Sequence, residues 1–520
     1  MLSLLLQWIS ILTFSLLLTM SGWVLYRLNV AGAKNHPLTL QFGSGFYLGL
    51  TLFLVLLKLL NFRFAGWLAL EVWGLSAAML LLLVRQRELL KTGWQKLRKA
   101  LDRKSVGQLI AALLAVHLLA LLGQGVPAAI ESTTLLQMEQ IISAQQWLVF
   151  GQSSSDAMLW ALPILWELPE GAWAGALWLI PMLTAGGAML FGLLRWFGLK
   201  QQRQWMGLAV VMGGQASWSL LPIQLFPHGS SLYGLAHGAS WMALGSLLIL
   251  LLYFNGLQRD GEQVRTAQLW LPAAMVLFWS FAATQLLLLV LPGLLGFVLW
   301  ARWRYRWSWQ QPLLWSAVMA IAMLLGIAQG GLFTPASWHA TPLSSPALEL
   351  RSGWSPVVVQ SSLLHTPPPE VETQGRAVAG GDINYLEQQA WLGVRALFFP
   401  LVGMILMAVW VMTGQEHALG PPPEGRVLGA REGPFTAVAL SLFLTTFLAV
   451  LLLDLDAGGP KWGVSDWLMP TVVLGLLFLV VGLKRFLAGL NGWHRELMWG
   501  LLLTATLWGP VIHLLAGGGG

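Results

Sequence analysis

Glu131 opens the polar stretch ESTTLLQMEQIISAQQWLVFG, in which Leu135, Leu136, Ile141, Ile142, Trp147 and Leu148 recur as on a helix lying in a membrane interface. A carboxylate at the head of such a helix stands beside a groove open to water and to lipid, where a general base acting on a lipid-borne substrate must be. The same position suits an N-cap acid ahead of Ser132, Thr133 and Thr134, favoured by the helix dipole. Arg395 lies a turn or so inside an apolar block. Its desolvation must be compensated, either by a lipid phosphate or by snorkelling to the headgroups.

The other polar groups carry weaker signals. His228 and Tyr233, in LFPHGSSLYG, read as loop residues or as groups lining a cleft. Lys58 and Glu71 stand symmetrically about the turn at Arg63, as a structural ion pair would. His117 reads as a core side chain hydrogen-bonded to a neighbouring helix. Asp454, Asp456 and Asp466 flank a Gly-Gly-Pro turn and read as a solvated cap, so no ligand set for a divalent cation stands out. The basic, aromatic ARWRYRWSWQQ reads as an anionic-lipid anchor rather than a nucleic-acid surface. No P-loop, dinucleotide fingerprint, His-Glu-x-x-His or nucleophile elbow occurs, and with no Cys there is no disulfide or thiolate chemistry.

The elements that must position these residues are membrane helices. Hydrophobic residues make up 57% of the chain and charged residues 10%, too few to cover a water-soluble surface. The apolar residues fall into blocks of about 17–25, the length that crosses ~30 Å of hydrocarbon. About fourteen spans result, at 5–26, 43–61, 65–84, 106–125, 171–194, 205–225, 234–254, 267–282, 284–301, 312–331, 390–413, 435–453, 467–483 and 497–516. The pair at 267–301 reads as two short spans or one long tilted one. Of the 30 Trp residues many sit near block ends, among them Trp23, Trp67, Trp147, Trp205, Trp270, Trp391 and Trp467, as interfacial anchors do.

Orientation follows from Lys and Arg. The loop at 85–105 carries eight of them and belongs in the cytoplasm. Alternating sides from there leaves 23 of the 29 basic residues in cytoplasmic loops and both termini outside. The first large outer loop, 126–170, is purely acidic, with Glu131, Glu139, Asp156, Glu167 and Glu170. A second outer segment, 332–389, is rich in Pro, Ser and Thr and reads as extended and mobile. The chain therefore divides into an N-terminal three-helix region (1–105), a transmembrane module (106–331), the extracytoplasmic loop (332–389) and C-terminal helices (390–520).

In this order the features resemble the GT-C glycosyltransferases, polytopic enzymes that use polyprenyl-phosphate-linked sugars, of the dolichyl-phosphate-mannose mannosyltransferase and aminoarabinose transferase type. An outward-running helix, an acidic first outer loop with interfacial helices, six spans and a second mobile outer loop follow one another over about 106–413. AAMVLFWSFAATQLLLLVLPGLLGFVLWARWRYRW looks like the paired helices of that fold with their basic cytoplasmic turn. The likeness is one of topology and pattern: Glu131 is followed by Ser-Thr-Thr-Leu-Leu-Gln, without the Tyr-His found in many relatives.

The resemblance implies an all-α fold of the bacterial inner membrane. It implies Glu131 as catalytic base, Glu139 or Asp156 as second acid, and Arg395, with Arg351 or Arg376, on the donor phosphate. The implied partners are the bilayer, a polyprenyl-phosphate-sugar donor and an extracytoplasmic glycan, lipid or protein acceptor, with no nucleic acid. A non-catalytic membrane subunit and a secondary transporter are the competing readings, the second requiring deep ionisable residues and repeats. Reporter fusions at Gly520 and Gln310 test the topology: Gly520 should report outside and Gln310 in the cytoplasm, and cytoplasmic activity at Gly520 overturns the span count.

Overall fold

The computed structural model describes residues 2–30, 32–63, 68–100, 173–214, 238–259, 269–282, 302, 310–328, 394, 397–412, 435–436, 439–445 and 464–515. Among the described residues every regular element is helical, which is how a chain with so little polar surface satisfies its backbone without water. Three stretches, Ile9–Asn29, Leu38–Leu60 and Pro470–Gly489, are long and apolar enough to cross a bilayer, and shorter apolar helices accompany them. The chain is a helical membrane protein by these features. It forms two compact units, one of Met1–Trp196, Ala236–Thr284 and Trp309–Thr334, the other of Phe197–Leu235, Gln285–Ser308 and Pro335–Gly520.

The first unit contains α1 (Leu2–Asn29), α2 (Leu38–Arg63), α3 (Leu68–Arg85), α4 (Arg87–Ala100) and α5 (Trp173–Trp196). In the second lies α6 (Gln201–Gly213); α7 (Gly238–Arg259), α8 (Trp270–Ala282) and α9 (Gln310–Ala328) return to the first. Helix α2 is its centre, touching α1, α3, α5, α7 and α8. Gly22, Gly45 and Gly49 let the backbones of α1 and α2 meet: a Cβ on Gly45 would lie 2.8 Å from Thr19 O and from Trp23 N. On the other side of α2, Gly43 faces Ala185 and Met189 while Gly192 faces Leu40, so α5 runs antiparallel to it. Small residues at such contacts are the usual means of packing where lipid removes the hydrophobic drive between helices.

The second unit contains α6, α10 (Phe398–Met412), α11 (Val464–Phe486) and α12 (Gly492–Leu515). Contacts of Pro400 with Gly475, Gly403 with Leu479 and Leu406 with Gly482 climb both chains together, so α10 and α11 are parallel. The alternating assignment requires that direction for the spans at 390–413 and 467–483, and antiparallel directions for those at 43–61 and 171–194. Phe197 packs edge-on against Phe435 and Phe478, with ring centroids 5.7 and 6.3 Å away.

Three of the buried hydroxyls bond within their own helix. Ser21, Ser76 and Thr506 donate to the carbonyl four residues back at 2.7–2.8 Å, the cheapest partner inside an apolar helix. Two expectations change in detail. The helix expected over 205–225 begins at Gln201 and ends at Gly213, where Gly214 turns extended (φ −74°, ψ 143°). The loop at 85–105 holds a helix, α4, that the charge count alone did not suggest.

The Gly45 contact yields a direct test. Gly45→Leu should destabilise the folded protein by about 1–3 kcal/mol or more through overpacking, whereas Gly74→Leu, with open space around it, should not. Thermal melting of the two variants in detergent checks it; equal melting temperatures would remove the close contact from the account.

Candidate functional site

Glu131, Glu139, Asp156, His228, Tyr233, Arg351, Arg376 and Arg395, the residues from which the sequence builds its outer site, lie outside the described residues, as does His117. The nearest described element is α10, beginning at Phe398 with Leu397 buried just before it.

Within the described residues the unusual groups are Lys58 and Glu71, 2% and 8% exposed and the only charged side chains buried there. Lys58 lies five residues before the end of α2, about 7 Å along the axis, and Glu71 lies in the first turn of α3. Their helices pack together, and Phe14 of α1 stacks edge-on against Phe53 of α2 on the way to Lys58, with centroids 5.3 Å apart. An ammonium and a carboxylate withdrawn from water on neighbouring helices each carry a large desolvation cost. Their placement on adjoining helices is the one the sequence expects of a structural ion pair, which would offset that cost. If the two interact, such a pair would hold helices in register or pass a proton or cation rather than act as a lone base.

At the other end of the same helices a polar cluster closes the α1–α2 turn. Trp23 Nε1 donates to Gln41 Oε1 at 3.1 Å, and Gln41 Nε2 donates to His36 O at 2.7 Å. Tyr26 Oη and His36 Nδ1 share a hydrogen bond of 2.6 Å, and Trp270 Nε1 donates to Asn29 Oδ1 at 3.0 Å. Arg27 lies 4.9 Å over the Trp23 ring. His36 also meets the edge of Trp196, and Gly93 of α4 is set against Trp23. Pieces adjoining four stretches that charge places in the cytoplasm, at 27–42, 85–105, 195–204 and 255–266, thus gather at one end of the unit. These contacts engage Trp23, Gln41, His36, Tyr26, Trp270 and Asn29 with one another, so the cluster is a cap.

Trp23 departs from its expected role. It is 1% exposed and a donor within this cap rather than an interfacial anchor, because Gln41 supplies the acceptor its N–H needs away from water.

The second unit has a basic end. Arg203 Nη2 meets Glu496 Oε1 at 2.7 Å, with Arg203 5.7 Å over the Trp499 ring. Lys484 Nζ donates to Phe197 O at 3.2 Å and to Gly198 O at 2.7 Å, satisfying carbonyls at a turn where Gly198 has φ 82°. Arg485 lies 4.6 Å over the Trp410 ring. The stretches at 195–204 and 484–496, both cytoplasmic by charge, therefore share one end. Among the described residues no group of three His, Cys, Asp or Glu side chains is placed to hold a metal ion.

Sequence reasoning missed α4. Its signal was present: Leu89, Leu90, Gly93, Trp94 and Leu97 recur at helical spacing among the cations.

A double-mutant cycle tests the Lys58–Glu71 pairing. Lys58→Met and Glu71→Gln should each cost about 3–5 kcal/mol by leaving a buried charge uncompensated, and the double variant should cost less than their sum. Melting in detergent reads the cycle; additive losses would show that the two do not interact.

Compared with known proteins, the chain matches no family model, no curated protein and no solved structure.

Proposed function

We propose that the chain is a multi-pass membrane glycosyltransferase-like protein of the GT-C kind, with about fourteen spans and two large extracytoplasmic loops, in a bacterial inner membrane. It transfers a sugar from a polyprenyl-phosphate donor to an extracytoplasmic acceptor. The observation that carries the reading is the Lys- and Arg-free stretch between Lys104 and Arg195, in which five acids, Glu131 first, follow an outward-running span. Support for the sidedness on which this depends comes from the way loops assigned to one face gather at one end within each unit.

In this reading Glu131 takes the proton of an acceptor hydroxyl or amine. The acceptor's lone pair attacks the anomeric carbon, the bond from that carbon to the phosphate oxygen breaks, and polyprenyl phosphate leaves with the bonding pair. Attack opposite the leaving group inverts the configuration. Arg395, with Arg351 or Arg376, neutralises the departing phosphate. Glu139 or Asp156 is the second acid, and His228 and Tyr233 line the cleft.

A second reading is favoured by one specific observation. Lys58 and Glu71 are buried charges in a membrane hairpin, as a secondary transporter's coupling site would require.

Turnover of a lipid-linked sugar by the purified protein separates the two. Glu131→Gln should abolish transfer while sparing folding and donor binding, and Arg395→Met should chiefly weaken donor binding. Absence of transfer by the parent protein, together with ion-driven flux in proteoliposomes that Lys58→Met removes, would replace the transferase with the transporter.

A further inference from the structure

Helix α4 has two faces of different chemistry. At 100° per residue, Leu89, Leu90 and Gly93 share one side. That side meets α1 at Gly93, which is buried and has room for no Cβ beside the Trp23 indole. Along the adjoining edge stand Arg87, Lys91, Trp94 and Arg98, spaced i, i+4, i+7 and i+11, in one row about 16 Å long. All four are exposed: Trp94 by 63%, and the side chains of Arg87 and Lys91 by 77% and 64%.

Packing within the unit does not account for this row. Glu88 approaches Lys91 at 2.9 Å and Arg87 at 3.7 Å, but it is 73% exposed, so these contacts are solvent-screened, and one carboxylate leaves three cations with net positive charge. A large indole held in water among cations gains nothing there, whereas the headgroup zone of a bilayer takes both its apolar ring and its N–H. The preceding helix fixes where that zone lies. Leu80, Leu81 and Val84 of α3 are 54%, 69% and 69% exposed, as side chains facing lipid are. Three residues after Val84 the chain reaches Arg87. The row therefore begins where hydrocarbon ends.

We propose that α4 is a binding site for anionic phospholipid: Arg87, Lys91 and Arg98 take lipid phosphates, and Trp94 lies among the glycerol backbones beside them. Net charge selects the lipid class, since a zwitterionic headgroup cancels its phosphate with its own ammonium and leaves no net charge to compensate three cations. The inference stands apart from the reaction proposed above and needs no part of it.

The absence of cysteine makes the test clean. In the full-length chain, Trp94→Cys carries a single nitroxide, and Gln95→Cys supplies a label one position round the helix. In nanodiscs containing phosphatidylglycerol, the label at 94 should collide with oxygen rather than with a neutral nickel chelate, and the label at 95 should stay water-exposed. Replacing Arg87, Lys91 and Arg98 together by Gln should lower the retention of spin-labelled phosphatidylglycerol over phosphatidylcholine by about fivefold per charge removed. A water-exposed label at 94 in anionic discs overturns the proposal. So does an unchanged lipid preference in a triple variant that melts like the parent; should that variant fail to fold, the label at 94 decides alone.

Discussion

The approach of α1 to α2 through Gly22, Gly45 and Gly49 is the contact on which the first unit is built. In lipid, apolar helices have little hydrophobic reason to associate, because a lipid tail is as apolar as a leucine. What remains is dispersion between surfaces that fit, and that grows steeply as backbones close. Once α1 and α2 are joined, the turn between them is short enough for Tyr26, His36 and Gln41 to bond one another. Helix α2 then offers its remaining faces to α5, α7 and α8, where Tyr47 reaches Met182 O at 2.7 Å and its ring fills the space left by Gly245. The second unit repeats the device with Gly475 and Gly482.

Polar atoms in such a structure have three refuges, and the chain uses each. Hydroxyls turn back to their own helix, as Ser21 and Thr506 do. Indoles and amides find one another across helices: Trp279 Nε1 donates to Ser246 Oγ at 2.7 Å, which itself donates to Ala243 O at 3.0 Å. Charges go to the helix ends, where Lys484, Arg203 and Arg485 meet carbonyls, a carboxylate and a ring. Lys58 and Glu71 are the charged side chains that the described residues bury, and they stand on adjoining helices.

Much of this was legible in composition and charge. Helix positions in the described parts follow from runs of apolar residues long enough for a bilayer, and α1, α2 and α11 fall within a few residues of the blocks read at 5–26, 43–61 and 467–483. The relative directions of α2 and α5, and of α10 and α11, are those that alternating the spans from the Lys and Arg loops requires. The partners of individual side chains were not legible. Trp23 and Trp270 look alike as aromatic residues near block ends, yet one is wholly buried and the other bridges to Asn29. Which applies depends on whether an acceptor arrives from another helix, and periodicity along one segment carries no such information. The outer site rests on Glu131 and Arg395, both outside the described residues, so its legibility is that of order and charge alone.

Helix α4 shows why counting charges conceals structure. A loop with eight cations is a complete topology signal, and topology asks nothing about how the cations are arranged. Arrangement enters with Gly93. A side chain there would hold the helix away from Trp23, and without that contact the cationic row would have no fixed aspect. The glycine weakens α4 as a helix, by about 1 kcal/mol relative to alanine, in return for docking it. The same indole that closes the α1–α2 cap through Gln41 thereby sets the aspect of α4, so the polar interior of the turn and the charged surface outside it depend on a single side chain.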